Sequence, residues 1–447
     1  MQHTCHLIAL VGRPNVGKSS LFNRLTRTNK AIVDATPGVT RDNSYERVVV
    51  DDRMFMLVDT AGVEVETSDD MGRAVREHTM QAVDEADAIL FLLDGRAGVT
   101  AQDQELALIL RKTEKPVFCV VNKVDGADQE EKLLPAFYEL GFPHLLPISA
   151  SHGYGIDTLL GELVAETSLT AEAAERLPED TISIACIGRP NVGKSSLVNR
   201  LLGQDRMVVS SVPGTTRDAV DTLLEHNGRS YLLTDTAGIR RRGKVQEKLE
   251  KFSVMRALTS MERCDITLLL IDAAEGITEQ DTKVIGYALE RGRACIILLN
   301  KWDLLKKEEK RQKQLVEEVK RAAAFIPYAP LLHISALTGH GIARILPLVD
   351  SIHRQYVSRF PTNRINTVLQ KAVEAHPPSL YKGKRIRFYY ATQVTASPPT
   401  FVVFANYPDG IHFSYHRYLV NLFREELKLD LVPIRILFRE RQRKKYG

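Results

Sequence analysis

The decapeptide GRPNVGKSSL occurs twice, at residues 12–21 and 188–197, and holds the residue types that phosphate chemistry needs. Gly12-x4-Gly17-Lys18-Ser19 supplies glycines that let backbone N–H groups close on phosphate oxygens. Its lysine can neutralise β and γ phosphates and its hydroxyl can meet Mg2+. Gly188, Gly193, Lys194 and Ser195 repeat the pattern; Ser20 and Ser196 follow, and Asn15 and Asn191 lie inside the loops. The same offset of 176 carries Pro37-Gly38-Val39-Thr40-Arg41-Asp42 onto Pro213-Gly214-Thr215-Thr216-Arg217-Asp218, and Asp59-Thr60-Ala61-Gly62 onto Asp235-Thr236-Ala237-Gly238. Asp59 and Asp235 end apolar runs, where a carboxylate can hold Mg2+ through water, and Gly62 and Gly238 can offer an N–H to a γ-phosphate.

Further on, Asn122-Lys123-x-Asp125 maps to Asn300-Lys301-x-Asp303 at 178, and Ser149-Ala150 to Ser335-Ala336 at 186. An ionised Asp accepts from guanine N1–H and its exocyclic amine, whereas adenine has an acceptor at N1 and no amine at C2. Polar recognition of this kind rejects such analogues by about 10⁴-fold. The Ser–Ala pairs follow the next strand, where a backbone N–H can reach guanine O6. GTP and GDP are the expected ligands.

The elements that must position these motifs read as alternating apolar strands and helices, hence a mostly parallel sheet flanked by helices in each copy. Expected strands are 6–11, 47–50, 54–58, 88–93, 117–121 and 145–148 in the first copy; in the second they include 182–187, 230–234, 266–271, 295–299 and 331–334. The fold class is α/β: residues 1–165 form one nucleotide domain, 166–180 an acidic linker, 181–354 a second nucleotide domain, and 355–447 a small basic α+β domain read as α-β-β-α-β.

Composition supports a folded chain of about three domains at roughly 150 residues each, with 44% hydrophobic and 26% charged residues among 447. No apolar run approaches the roughly 18 residues of a membrane span, and no basic leader precedes the first strand, so the expected location is cytoplasmic. Cys5, Cys119, Cys186, Cys264 and Cys295 show no CxxC spacing and are expected to be buried thiols in a reducing compartment. Residues 351–447 carry 17 Lys and Arg against 6 Asp and Glu, a net +11, which leaves −7 on residues 1–350 of the overall +4. A basic end on an acidic body points to a polyanion such as nucleic acid.

Phosphate loop, switch threonine, DTAG, NKxD and SA in this order resemble Ras-type GTPase domains. Two in tandem before a small basic domain resemble the bacterial GTPase Der (EngA) family, whose third domain is KH-like. The resemblance implies two Ras-like P-loop GTPase domains that hydrolyse GTP, with Lys18, Thr40, Gly62, Lys194, Thr216 and Gly238 catalytic. It implies Mg2+ held by Ser19, Thr40 and Asp59, and by Ser195, Thr216 and Asp235. It also implies a role in large ribosomal subunit assembly, docking on rRNA, without a membrane and as a monomer.

Three departures stand out. Val63 and Ile239 replace the glutamine that orients water in Ras-like enzymes, so slow intrinsic turnover is expected. Asn15 and Asn191 tolerate turn geometry; in relatives lacking that glutamine, an asparagine here ligates potassium, which makes K+ an expected cofactor. After Gly341 the only glycines are Gly383, Gly410 and Gly447, so no GxxG clamp exists, and RNA contact falls to Lys382, Lys384, Arg385 and Arg387 or to the tail 439–446. The switch after the first DTAG is acidic (Glu64, Glu66, Asp69, Asp70) and the second basic (Arg240, Arg241, Arg242, Lys244). A nucleotide-sensing scaffold with incidental hydrolysis is the competing class; a tRNA-modifying GTPase lacks the C-terminal cysteine motif, and a membrane-remodelling one lacks an amphipathic basic helix.

Overall fold

The computed structural model describes residues 5–28, 45–51, 53–60, 80–142, 144–171, 178, 180–203, 208–213, 220–234, 254–306 and 308–440. Packing divides the chain into two units: Met1–Arg176 with Val212–Val220 and Ser253–Arg263, and Leu177–Ser211 with Asp221–Phe252 and Cys264–Gly447.

The first unit carries β1 (Cys5–Val11), α1 (Lys18–Thr28), β2 (Tyr45–Val50), β3 (Arg53–Asp59), β4 (Ala88–Asp94), α2 (Ala101–Leu110), β5 (Val117–Asn122), α3 (Ala127–Leu133), β6 (Leu145–Pro147) and α4 (Ile156–Ala171). The strands form one sheet in the order β2-β3-β1-β4-β5-β6, parallel throughout except for β2 against β3. Every residue of β1 and β4 is buried, as central strands of a sheet covered on both faces must be. Helix α2 opens with a capping box in which the Thr100 side chain accepts from the Asp103 N–H and Asp103 accepts from the Thr100 N–H; such a cap contributes about 1 kcal/mol. Helix α4 runs to Ala171, into the stretch expected to be linker. Its Ala, Glu and Leu are good helix formers, so a composition that reads as exposed is also compatible with an extra helical turn.

In the second unit β7 (Ile182–Gly188), α5 (Lys194–Leu202), β8 (Val208–Pro213), β9 (Val220–His226), β10 (Arg229–Thr234), β11 (Ile266–Asp272), α7 (Glu279–Arg291), β12 (Ala294–Asn300), α8 (Glu309–Ala322) and β13 (Leu331–His333) repeat the plan. A further helix, α6 (Val254–Arg263), falls within the first unit. The sheet order is β13-β12-β11-β7-β10-β9-β8. Strands β8 and β9, VVSSVP and VDTLLEH, were not among those expected because polar residues break their apolar runs.

Helix α9 (Ile345–Tyr356) leads to α10 (Thr362–Ala375), the short hairpin β14 (Leu380–Tyr381) and β15 (Lys384–Arg385), then β16 (Phe388–Thr395), β17 (Thr400–Ala405), α11 (Phe413–Leu427) and β18 (Arg435–Glu440). The α-β-β-α-β order is present, with β16 antiparallel and β18 parallel to β17. Arg385 belongs to the hairpin, and the first long strand of this domain begins only at Phe388. One continuous apolar core runs from Ile184 and Leu268 in the seven-stranded sheet to Phe401, Phe423 and Ile436 in the C-terminal segment. Tyr356 is buried at their junction and donates its hydroxyl to the Gly292 carbonyl at 3.1 Å, while Arg435 Nη2 donates to the Glu290 carbonyl at 2.7 Å.

Of the five cysteines, all free, four are buried and Cys186 is half-buried; burial pushes the Cys119 thiol up to about 12. These are inert thiols at neutral pH. Among the described residues no helix is long and apolar enough to cross a membrane.

The continuous core makes a prediction. Phe423→Ala empties a fully buried ring site and should cost about 3–5 kcal/mol. The chain has 1 tryptophan, Trp302, which lies in the nucleotide-domain part of the second unit. Its fluorescence in a urea titration should show an earlier midpoint in the variant; an unchanged midpoint would mean that the C-terminal segment unfolds independently.

Candidate nucleotide-binding sites

Strand register brings the motifs together. Leu10 pairs with Asp59 and Asp94 with Asn122, so the C-terminal ends of β1, β3, β4 and β5 form one edge, the edge at which ligands gather in open α/β sheets. In the second unit Asp272 pairs with Asn300 at the matching edge.

The loop from β1 to α1 bends through Asn15 at φ 67° and Gly17 at φ 98°. A Cβ on Gly17 would sit 2.3 Å from Asn122 Nδ2, and one on Gly193 would sit 2.2 Å from Asn300 Nδ2. Glycine is therefore required both by the left-handed backbone and by the close approach of the asparagine. Lys18 Nζ donates to the Gly12 and Arg13 carbonyls at 2.7 and 2.9 Å, and Lys194 Nζ to those of Gly188 and Arg189 at 2.9 and 2.7 Å. Both ammonium groups thus lie folded over their own loops. Burial lowers the Lys18 pKa and the Asp59 carboxylate opposes that shift. Ser19 Oγ donates to Asp59 Oδ2 at 2.8 Å, which sets two hard oxygen donors side by side. That donor set fits Mg2+.

Asn122 is the pivot. Its Nδ2 donates to the Val16 carbonyl at 2.8 Å and its Oδ1 accepts from the Ala150 N–H at 2.9 Å, so one side chain ties the phosphate loop to the Ser–Ala loop. Asn300 does the same for Val192 at 2.7 Å and Ala336 at 2.9 Å. The Ala150 and Ala336 N–H groups of the Ser–Ala pairs are thus the ones that these asparagines engage. Lys123, at φ 69°, donates from Nζ to the Asn15 carbonyl at 3.2 Å and to Asp94 Oδ2 at 2.5 Å; Lys301 pairs with Asp272 at 2.5 Å. Burial works to raise the Asp94 pKa, but the Lys123 hydrogen bond and the Ala97 and Arg96 N–H groups outweigh it and leave it lowered. Asp125 accepts from Ser149 Oγ at 2.7 Å, and that bond, followed by the one from His152, holds its carboxyl down at about 2. At neutral pH it is the ionised acceptor that guanine requires.

Residue by residue, Gly12, Asn15, Gly17, Lys18, Ser19, Ser20, Asp59, Asn122, Lys123, Asp125, Ser149 and Ala150 belong to described segments of one unit. So do Gly188, Asn191, Gly193, Lys194, Ser195, Ser196, Asn300, Lys301, Asp303, Ser335 and Ala336 of the other. Thr40, Gly62, Val63, Thr216, Asp235, Gly238, Ile239, both switch segments and residues 441–447 lie outside the described residues. The motif reading missed the residues that brace the loops. Arg13 Nε donates to Asp103 Oδ2 at 3.2 Å and Arg189 Nε to Asp281 Oδ1 at 3.0 Å, which anchors each phosphate loop to the cap of the following strand's helix. Arg24 donates to the Ala150 and Ser151 carbonyls, as Arg200 does to Ala336 and Leu337. Every one of these pairs, and Asp94 with Asp272, recurs at the repeat offset, so the signal was present.

These are two P-loop guanine-nucleotide sites of the Ras-like GTPase class, carried by one chain. A family described as 50S ribosome-binding GTPase matches residues 7–123 and 183–301, and one described as the KH-domain-like C-terminal domain of EngA bacterial GTPase enzymes matches 359–439. GTPase Der of Geotalea daltonii is 50% identical over 441 residues, 99% of each chain; that of Desulforapulum autotrophicum is 50% identical over 443 residues, 97% of this chain and 90% of the other. The chain belongs to the GTPase Der family, with two GTPase domains in tandem and a KH-like C-terminal domain.

Because Asn300 satisfies two backbone groups at once, Asn300→Ala should strand the Val192 carbonyl and the Ala336 N–H, costing about 1–3 kcal/mol for each one left buried. GDP affinity at the second site should fall at least tenfold by calorimetry. Unaltered affinity would show that the phosphate loop keeps its shape without the tie.

Proposed function

We propose that each nucleotide domain hydrolyses GTP to GDP and phosphate, and that nucleotide state governs docking of the basic C-terminal domain on rRNA of the large ribosomal subunit. The observation that carries the first part is the repeated Asn tie, which holds a lysine-bearing phosphate loop against a guanine-selective carboxylate in both units. On this reading Lys18 and Lys194 leave their loop carbonyls to meet β- and γ-phosphate oxygens, and Asp125 and Asp303 accept from guanine N1–H and its amine. Gly62 and Gly238 present an N–H to the γ-phosphate. Water attacks the γ-phosphorus, the bond to the bridging oxygen of GDP breaks, and the attacking water's proton passes to the released phosphate. Ser19, Thr40 and Asp59, and Ser195, Thr216 and Asp235, would hold Mg2+, which would supply positive charge beside the phosphate oxygens. With Val63 and Ile239 at the glutamine positions, K+ ligated by Asn15 or Asn191 is the proposed second source of positive charge; the left-handed turns at these asparagines, φ 67° and 59°, equally suit a purely conformational role.

Support for the RNA-facing part lies in the β14–β15 hairpin and the strand after it. Lys382, Lys384, Arg385 and Arg387 are all exposed, and Lys382 and Lys384 lie 5.2 and 5.8 Å from the rings of Tyr381 and Tyr407. Tyr389 and Tyr390 are exposed nearby in β16, whereas Phe388 stacks on Tyr415 and Phe438. Basic groups beside open aromatic faces suit phosphate contact with base stacking. The family description as 50S ribosome-binding supports the same partner. We further propose a cytoplasmic monomer.

Lys18→Ala and Lys194→Ala should each abolish hydrolysis at one site, read by single-turnover phosphate release; turnover surviving in both would assign the chemistry elsewhere. Replacing K+ by Na+ at constant ionic strength should slow hydrolysis, and Asn15→Ala or Asn191→Ala should remove that difference at its own site. Equal rates in the two salts would leave the asparagines a conformational role only. Removing residues 351–447 would cut α9 and open the common core, so the docking test uses Lys382, Lys384, Arg385 and Arg387 changed together to Ala. Cosedimentation with large subunits should weaken and depend less steeply on salt. Unchanged binding at every salt concentration would exclude this face.

A further inference from the structure

The two base-recognition carboxylates are not alike. In the first unit Asp125 Oδ1 accepts from Ser149 Oγ at 2.7 Å and from His152 Nδ1 at 2.9 Å, while Oδ2 accepts from Arg96 Nη2 at 2.6 Å. Both oxygens that guanine would need are therefore already engaged by donors of the chain itself. In the second unit Asp303 Oδ1 is buried without a hydrogen-bond partner among the described residues. The local backbone is the same in both: the His152 N–H donates to Ser149 Oγ at 3.2 Å and the Thr338 N–H to Ser335 Oγ at 3.1 Å. Among the described residues Ser335 does not repeat the Ser149 bond to the carboxylate, and two neighbouring side chains differ as well. The repeat offsets place Ala274 where the first copy has Arg96 and Thr338 where it has His152. Neither alanine nor threonine brings a cation to the carboxylate.

We propose that Arg96 and His152 set the affinity of the first site by acting as an internal substitute for guanine on Asp125, a competition that the second site lacks. The inference rests on the reading that Asp125 and Asp303 recognise guanine. A guanidinium N–H and an imidazole N–H occupy the positions of the base's amine and N1–H, so nucleotide entry must break two charge-assisted contacts before it forms its own. At the second site the balance runs the other way. A buried carboxylate oxygen without a donor is costly, and a guanine N–H relieves that cost on binding. The same base thus gains less at the first site than at the second. Arg96 and His152 are 62% and 67% exposed and Asp125 is 25% exposed, so both are free to swing aside into water, and the competition is moderate rather than blocking. Ionic screening of an exposed pair makes its strength fall with salt.

The test uses the full chain carrying Lys194→Ala, so that a ribose-labelled fluorescent GDP reports the first site alone. Arg96→Ala should tighten GDP about two- to fivefold, the range that an exposed ion pair supplies, with Arg96→Lys intermediate and the gain shrinking as salt rises. The converse graft, Ala274→Arg with Thr338→His in a Lys18→Ala chain, should weaken GDP at the second site, read by Trp302 fluorescence. Asp125→Asn supplies the control. An amide donor suits the C2 carbonyl of xanthine, so this variant should prefer xanthosine diphosphate to GDP, and in its background Arg96→Ala should give no tightening with either nucleotide. If Asp125→Asn still prefers GDP, the base-recognition reading falls and the inference falls with it. If Asp125→Asn switches preference as expected while Arg96→Ala leaves GDP affinity unchanged or weakens it, the competition is overturned and Arg96 is idle or a nucleotide contact.

Discussion

One asparagine side chain in each unit holds its functional edge together. Asn122 and Asn300 each join a carbonyl of the phosphate loop to an N–H of the Ser–Ala loop, across sequence separations that only the sheet can close. Their approach leaves no room for a Cβ at Gly17 or Gly193, so the glycine that permits the left-handed turn is the same glycine that admits the tie. The phosphate-loop motif and the Ser–Ala loop are thereby one mechanical object. A change at either loop is felt at the other through a single amide.

Bracing of this kind recurs around each loop and follows the same electrostatic logic. The carboxylates Asp103 and Asp281 close the capping boxes of helices α2 and α7 and also receive a guanidinium N–H from the phosphate loop, so one buried carboxylate serves both a helix N-terminus and an arginine. Asp94 and Asp272 fix the lysine of the base-recognition motif. The loops are thus preorganised by charges that lie one layer behind the ligand, where solvent screening is weak.

Above this shared frame the two units diverge. The second shares an apolar core with the KH-like domain through Tyr356, Phe401 and Phe423, and such a core transmits displacement where a flexible linker would absorb it. Its base-recognition carboxylate has a buried oxygen without a donor, while the first unit's carboxylate is held by Arg96 and His152. Duplication preserved the backbone of the site and left the side chains around the base free to differ. The two sites therefore share a backbone frame and differ in the donors around their NKxD carboxylates.

The repeat, the phosphate-loop motifs, the parallel sheets and the α-β-β-α-β order of the C-terminal domain were all legible in the sequence, because each rests on short-range spacing or on the period of an apolar run. Edge strand β8, its neighbour β9 and the β14–β15 hairpin were not, since strands at and near a sheet edge carry mixed polarity and are defined by their neighbours. Helix α4 extends past the expected boundary because helix-forming composition and linker composition overlap. The bracing arginines recur at the repeat offset but do nothing visible until their acidic partners, about ninety residues away in sequence, are brought beside them. The bond between the Ala150 N–H and Asn122 was likewise not legible, because the two lie on loops that only the folded sheet brings together. Residue types and local spacing determine which chemistry is possible; which donors already occupy an acceptor, and which domains share a core, depend on contacts between distant segments that only the folded chain brings into being.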